Sequence, residues 1–130
     1  MDSPVTRILI IEDNSDDEAL LMRQIKKAQL NEQVRVIGDG GRALDYLMLP
    51  EADHLVAMFL DLKLPRLSGL QLLEKLRVHE RRRHLPVIVM TSSNSPDDLQ
   101  KCRALGVSSY VQKPVTFAAF SKAIAEIFHS

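Results

Sequence analysis

Short apolar runs alternate along the chain with longer stretches whose apolar residues recur every three or four positions. Val5 to Ile11 (VTRILII), Val34 to Ile37, Leu55 to Leu60, Pro86 to Met90 (PVIVM) and Ser109 to Gln112 have the length of strands, and most are rich in β-branched residues. The stretches between them read as helices. Ser15 opens SDDE, a capping box with Glu18 at the third helical position, and Leu21, Ile25 and Ala28 carry the pattern to about Gln29. Asp39-Gly40-Gly41 reads as a turn, after which Ala43, Leu44 and Leu47 make the core face of a second helix. Ser68-Gly69 leads a third helix through Leu70, Leu73 and Leu76, with Arg81-Arg82-Arg83 as a solvated end where cations suit the helix dipole. Ser95-Pro96-Asp97-Asp98 reads as an N-cap followed by proline at the first helical position. Leu99, Cys102 and Leu105 form that helix's stripe, and Gly106 its C-terminal cap. Phe117, Phe120, Ile124 and Ile127 give the last helix.

The order is strand then helix, repeated five times. Uninterrupted apolar strands joined by helices predict a parallel sheet covered on both faces. The expected fold class is therefore α/β, a doubly wound five-stranded parallel sheet of flavodoxin-like type. Ligands in such sheets bind beyond the carboxyl ends of the strands.

Composition adds little to this and excludes several classes. The 130 residues, 45% hydrophobic and 26% charged, suit a single domain spanning 1–130 with its own core. Seventeen basic and seventeen acidic residues cancel, so charge gives no sign of nucleic acid. One cysteine, Cys102, allows no intrachain disulfide and fits a reducing compartment. The start MDSPVTR lacks a signal peptide's basic and apolar regions, and no apolar run approaches the ~20 residues that span a bilayer. A cytoplasmic protein is expected.

The chemistry collects at the strand ends. The first strand runs into Glu12-Asp13, the third into Asp61, the fourth into Thr91-Ser92 and the fifth into Lys113-Pro114. In a parallel sheet these converge on one rim. Three carboxylates at close range cannot all ionise without compensation. Either one keeps a proton or a hard divalent cation binds. An all-oxygen set without His or Cys favours Mg²⁺ or Mn²⁺ over Zn²⁺. Lys113 supplies a point positive charge and Thr91 a hydroxyl donor. Such a set suits phosphoryl transfer, with Asp61 as the nucleophile. Singly, each piece also reads blandly: an Asp that caps a helix, an acidic helix start, a local Thr cap, a solvated Lys-Pro loop.

On ILIIEDN, FLDLKLPRLSG, PVIVMTSS and SYVQKP taken together, the chain resembles the receiver domain of two-component response regulators over essentially its whole length. The resemblance implies that Asp61 accepts phosphate from a sensor histidine kinase. It implies Mg²⁺ held by Asp13, Asp61 and the backbone carbonyl of Lys63, with Glu12 reaching it through water. Lys113 would bridge to the phosphoryl group, Thr91 would move to bond it, and Tyr110 would follow by changing rotamer. The stretch VIGDGGRALDYL resembles regulators paired with bacterial phytochromes, and no output domain is expected. Output would pass by altered protein contacts, by relay to a histidine phosphotransfer protein, or through a homodimer built on the fourth and fifth helices. Two departures stand out: Glu-Asp replaces the more usual Asp-Asp pair, and Ser68 stands where the family often has an acid.

Two other functions compete. A phosphohydrolase with an aspartyl nucleophile commonly has a second acid two residues on, where this chain has Lys63. An unphosphorylated pseudo-receiver would not need the intact acid, hydroxyl and lysine set. His54, His79, His84 and His129 lack ligand spacing and read as surface residues. Met48, Met58, Met90, Cys102, Phe117 and Phe120 read as core.

Overall fold

The computed structural model describes residues 5–128; His129 and the MDSP start lie outside the described residues. The apolar runs form five parallel strands: β1 (Ile8–Ile11), β2 (Val34–Ile37), β3 (Ala57–Asp61), β4 (Val87–Thr91) and β5 (Ser109–Gln112). Their order is β2-β1-β3-β4-β5, so the winding reverses between β1 and β3. Helices α1 (Ser15–Lys27), α2 (Gly40–Leu47), α3 (Gly69–Arg77), α4 (Pro96–Ala104) and α5 (Phe117–Phe128) make the crossovers. The doubly wound α/β expectation holds.

Every residue of β1, β3 and β4 is buried, because helices cover both faces. Alternation along the strands then divides the interior in two. Leu9, Ile11, Met58, Leu60, Val87 and Val89 face α2, α3 and α4, which contribute Leu47, Leu72 and Cys102. Ile8, Ile10, Phe59, Ile88 and Met90 face α1 and α5, which contribute Leu21, Ile25 and Phe120. Phe59 and Phe120 stack with ring centroids 5.6 Å apart. No helix among the described residues is long and apolar enough to cross a membrane.

Several sequence expectations shift at element ends. β1 begins at Ile8, not Val5, and β3 includes Asp61. The cap of α1 is Asn14, whose side chain accepts from the Asp17 N–H at 3.0 Å; Ser15 is already helical. Asn and Ser cap equally well, and here the extended residue is Asn14 (φ −92°, ψ 119°). Gly40 and Gly41 are not a free turn but the start of α2, capped by Asp39. Met48 is exposed rather than core, because it caps the end of α2. Phe117 is likewise exposed at the start of α5, with the Lys27 ammonium 5.4 Å from its ring centroid. Gly106 takes φ +71°, the left-handed C-terminal position expected of it.

The largest revision is the arginine run. α3 stops at Arg77, and Arg82 is only 3% exposed in the turn that follows. Its guanidinium donates to the carbonyls of Leu47 at 2.6 Å and Leu49 at 2.8 Å, and to Asp53 Oδ1 at 2.6 Å. The Arg82 hydrogen bond holds the Asp53 carboxyl below its ordinary range. Arg82 thus ties the end of α2 to the turn before β4. Arg81 beside it is exposed, and its pair to Asp53 is a loose 3.6 Å. Arg82→Ala leaves these carbonyls without a donor and is expected to lower stability by about 2–3 kcal/mol in urea unfolding. Arg81→Ala is expected to stay within about 0.5 kcal/mol. Equal losses for the two would contradict the assignment of Arg82 as the tie.

Candidate functional site

Strand register builds the site. Ile11 pairs with Leu60, which brings the next residues, Glu12 and Asp61, to the same level at the carboxyl ends of the two central strands. Asp61 pairs with Met90, one residue short of Thr91. Thr91 pairs with Gln112, and its carbonyl accepts the Lys113 N–H at 2.7 Å. Alternation assigns faces as well. Glu12, Asp61 and Lys113 continue the series that lines the α1–α5 side. Thr91 continues the opposite series, the one that Tyr110 packs against.

The carboxylates converge. Glu12, Asp13 and Asp61 each present an oxygen within 4.8 Å of the others. Glu12 and Asp61 are buried, while Asp13 is exposed at the mouth. The Lys113 ammonium lies 2.7 Å from Glu12 Oε1, 2.7 Å from Asp17 Oδ2 and 3.1 Å from Asp61 Oδ2. The other Asp61 oxygen accepts the Lys63 N–H at 3.1 Å. The Lys63 side chain itself is exposed and takes no part. Burial, followed by the hydrogen bond and charge of Asp61, pushes Glu12 up to about 7, against the pull of Lys113 and the Asn14 N–H. Burial alone would discharge Lys113, but hydrogen bonds to Asp17, Glu12 and Asp61 outweigh it and hold the ammonium charged.

The rim therefore holds four carboxylates, and one lysine pairs with three of them. The surplus negative charge, the all-oxygen donors and the exposed position of Asp13 fit a hard divalent cation, Mg²⁺ or Mn²⁺. The set contains none of the His or Cys ligands that favour Zn²⁺.

The loop after β3 is held by close backbone approach. A Cβ on Gly69 would run into the carbonyl of Asp61, and one on Gly40 into the carbonyl of Leu67. Those two glycines let α3 dock on the end of β3 and α2 dock on the loop. The Gly69 N–H donates to the Leu62 carbonyl at 3.0 Å, and Ser68 and Gln71 form a capping box. Ser68 thus closes the loop without the acidic residue its position often carries.

Thr91 is wholly buried, and its Oγ1 accepts the Ser93 N–H at 3.0 Å. The Tyr110 hydroxyl donates to the Ser93 carbonyl at 3.1 Å. Ser93 Oγ donates to Asp98 Oδ2 at 3.0 Å and accepts the Ser95 N–H at 3.1 Å, which reaches the cap of α4. Thr91, Tyr110 and α4 are therefore joined through one residue.

The structure brings Glu12, Asp13, Asp61 and Lys113 together, leaves the Thr91 side chain on the opposite side of the sheet, and adds Asp17. Sequence reasoning put Asp17 in an acidic helix start. The signal was present: Asp17, Leu21, Gln24 and Ala28 share one helical stripe, and that stripe faces the sheet.

The family model for the response regulator receiver domain matches residues 8–125. The chain is 37% identical over 123 residues to a probable methanogenesis regulatory protein FilR2 of Methanothrix harundinacea, covering 92% of this chain and 79% of that one. Among solved structures it resembles the bacteriophytochrome response regulator RtBRR, with TM-score 0.82, 35% identity, and coverage of 95% of this chain and 78% of that one. It also resembles the Mn²⁺-bound form of response regulator Rcp1, with TM-score 0.77, 25% identity, and coverage of 95% and 94%.

Asp13→Asn keeps the shape of the mouth and removes a charged donor. By calorimetric titration it is expected to weaken Mg²⁺ binding by about tenfold or more. Unchanged affinity would exclude Asp13 from the cation site.

Proposed function

The chain belongs to the response regulator receiver domain family, and on that premise we propose that it is a signalling phosphoacceptor that takes a phosphoryl group onto Asp61 from a sensor histidine kinase. The observation that carries the reading is the Asp61 carboxylate, buried at a strand end, with Lys113 on one oxygen and Glu12 and Asp13 alongside.

Asp13, Asp61 and the Lys63 carbonyl would hold Mg²⁺ or Mn²⁺, with Glu12 acting through water. The Mn²⁺-bound form of Rcp1 supports the choice of metal. A bound cation supplies positive charge against the phosphoryl oxygens. The remaining work falls to the chain. An Asp61 oxygen attacks phosphorus of the kinase phosphohistidine. The P–O bond forms as the P–N bond breaks, and the electron pair of the broken bond stays on the imidazole nitrogen. Lys113 is already charged and within reach, so it needs little reorganisation to meet the new oxygens.

Thr91 and Tyr110 would carry the change outward. When Thr91 turns its hydroxyl toward the phosphoryl group, Ser93 loses that acceptor, and both the Tyr110 bond and the α4 cap depend on Ser93. The α4–β5–α5 surface is then the output face, for a partner protein, a histidine phosphotransfer protein or a second copy. The likeness to RtBRR supports a bacterial phytochrome as the kinase.

The test is uptake of phosphate from a small phosphodonor and from a histidine kinase, with Mg²⁺ present, read by mass spectrometry. Wild type is expected to gain one phosphoryl group that maps to Asp61, and Asp61→Asn to gain none. Equal labelling of the two proteins, or no labelling of wild type, would contradict the reading.

A further inference from the structure

Lys113 is held by more than the reaction needs. The Lys113 ammonium has three carboxylates within 3.1 Å: Glu12, Asp61 and Asp17. On the phosphoacceptor reading, two of those partners change during the reaction. Asp61 becomes an acyl phosphate, and Glu12 would face the hydrated cation. Asp17 belongs to neither group. It lies on α1, outside the carboxylate cluster that could hold metal, and its bond to Lys113 is shorter than that of Asp61, 2.7 Å against 3.1 Å.

The same stripe of α1 grips this segment a second time. Gln24, two turns beyond Asp17, is buried, and its amide donates to the Val115 carbonyl at 3.2 Å. The segment Lys113–Val115, which includes the cis Lys113–Pro114 peptide, is therefore fastened to α1 at both ends. Asp16 and Glu18 share the first turn and its favourable dipole position, yet neither reaches Lys113. Helix-end electrostatics alone would not single out Asp17.

We propose that Asp17 is a positioning residue for Lys113, a fixed anchor that keeps the ammonium aimed at Asp61 while the lysine's other two partners change. This rests on the phosphoacceptor reading and names a further residue of the same site. Asp17 touches no reacting atom and acts only through Lys113.

The experiment measures the rate of Asp61 phosphorylation from a small phosphodonor at saturating Mg²⁺ and donor. Asp17→Ala is expected to slow it about tenfold, as a loosened catalytic group does, and Asp16→Ala to leave it unchanged. Asp17→Asn, which keeps an acceptor oxygen there, is expected to recover part of the loss. In a Lys113→Ala background the Asp17→Ala effect is expected to vanish, since the two act as one unit. As a readout independent of turnover, the Lys113 ammonium resonance in NMR is expected to broaden in Asp17→Ala and to persist in Asp16→Ala. A wild-type rate in Asp17→Ala with an unmoved ammonium resonance overturns the positioning role alone. So does an equal loss with or without Lys113. Wild-type protein that takes up no phosphate overturns the phosphoacceptor reading and this inference with it.

Discussion

Two carboxylates sit where apolar strands end, and one lysine answers them. Glu12 and Asp61 follow runs in which every strand residue is buried, so neither can solvate its charge freely. Unpaired, each would take up a proton or pull the strand ends apart. Lys113 lies within 3.1 Å of both and is itself nearly covered. Glu12 still rises to about 7, so one ammonium leaves the charge incompletely met. That deficit of positive charge fits the rim for a divalent cation.

The rest of the fold is arranged around that constraint. Parallel register sets Glu12 level with Asp61 and steps Thr91 and Lys113 outward. Gly69 lets α3 close against the end of β3, which fixes the loop that carries Lys63. Arg82, far along the chain, holds the end of α2 to the turn before β4. The two-faced sheet separates roles: the carboxylate cluster lies on the α1–α5 side, while Thr91 and Tyr110 lie on the side of α3 and α4. On that second side the Thr91 hydroxyl bonds first to Ser93.

Much of this was legible in the residues. Apolar strands of the right length, spaced by amphipathic stretches, specify a doubly wound sheet almost by themselves. Glu12, Asp61, Thr91 and Lys113 could be read because each follows directly on a strand, where parallel pairing leaves little freedom. What escaped depended on competition among similar residues or on distant partners. Asn14 and Ser15 are both good caps, and only backbone path decides between them. Arg82 looked like its two exposed neighbours because the carbonyls it satisfies lie more than thirty residues away. Asp17 was hidden by a bland explanation that also applies to it: acids favour the first turn of a helix.

The central claim is that Lys113 is there to compensate buried carboxylates. Its most direct test is the unfolding free energy of metal-free Lys113→Met, measured in the wild-type background and in Glu12→Gln/Asp61→Asn. The account predicts a loss of about 3 kcal/mol or more in the first, where two buried charges are stranded, and a much smaller loss in the second, where neither remains. Equal losses in the two backgrounds would mean that Lys113 stabilises the rim by packing, and the account would fail.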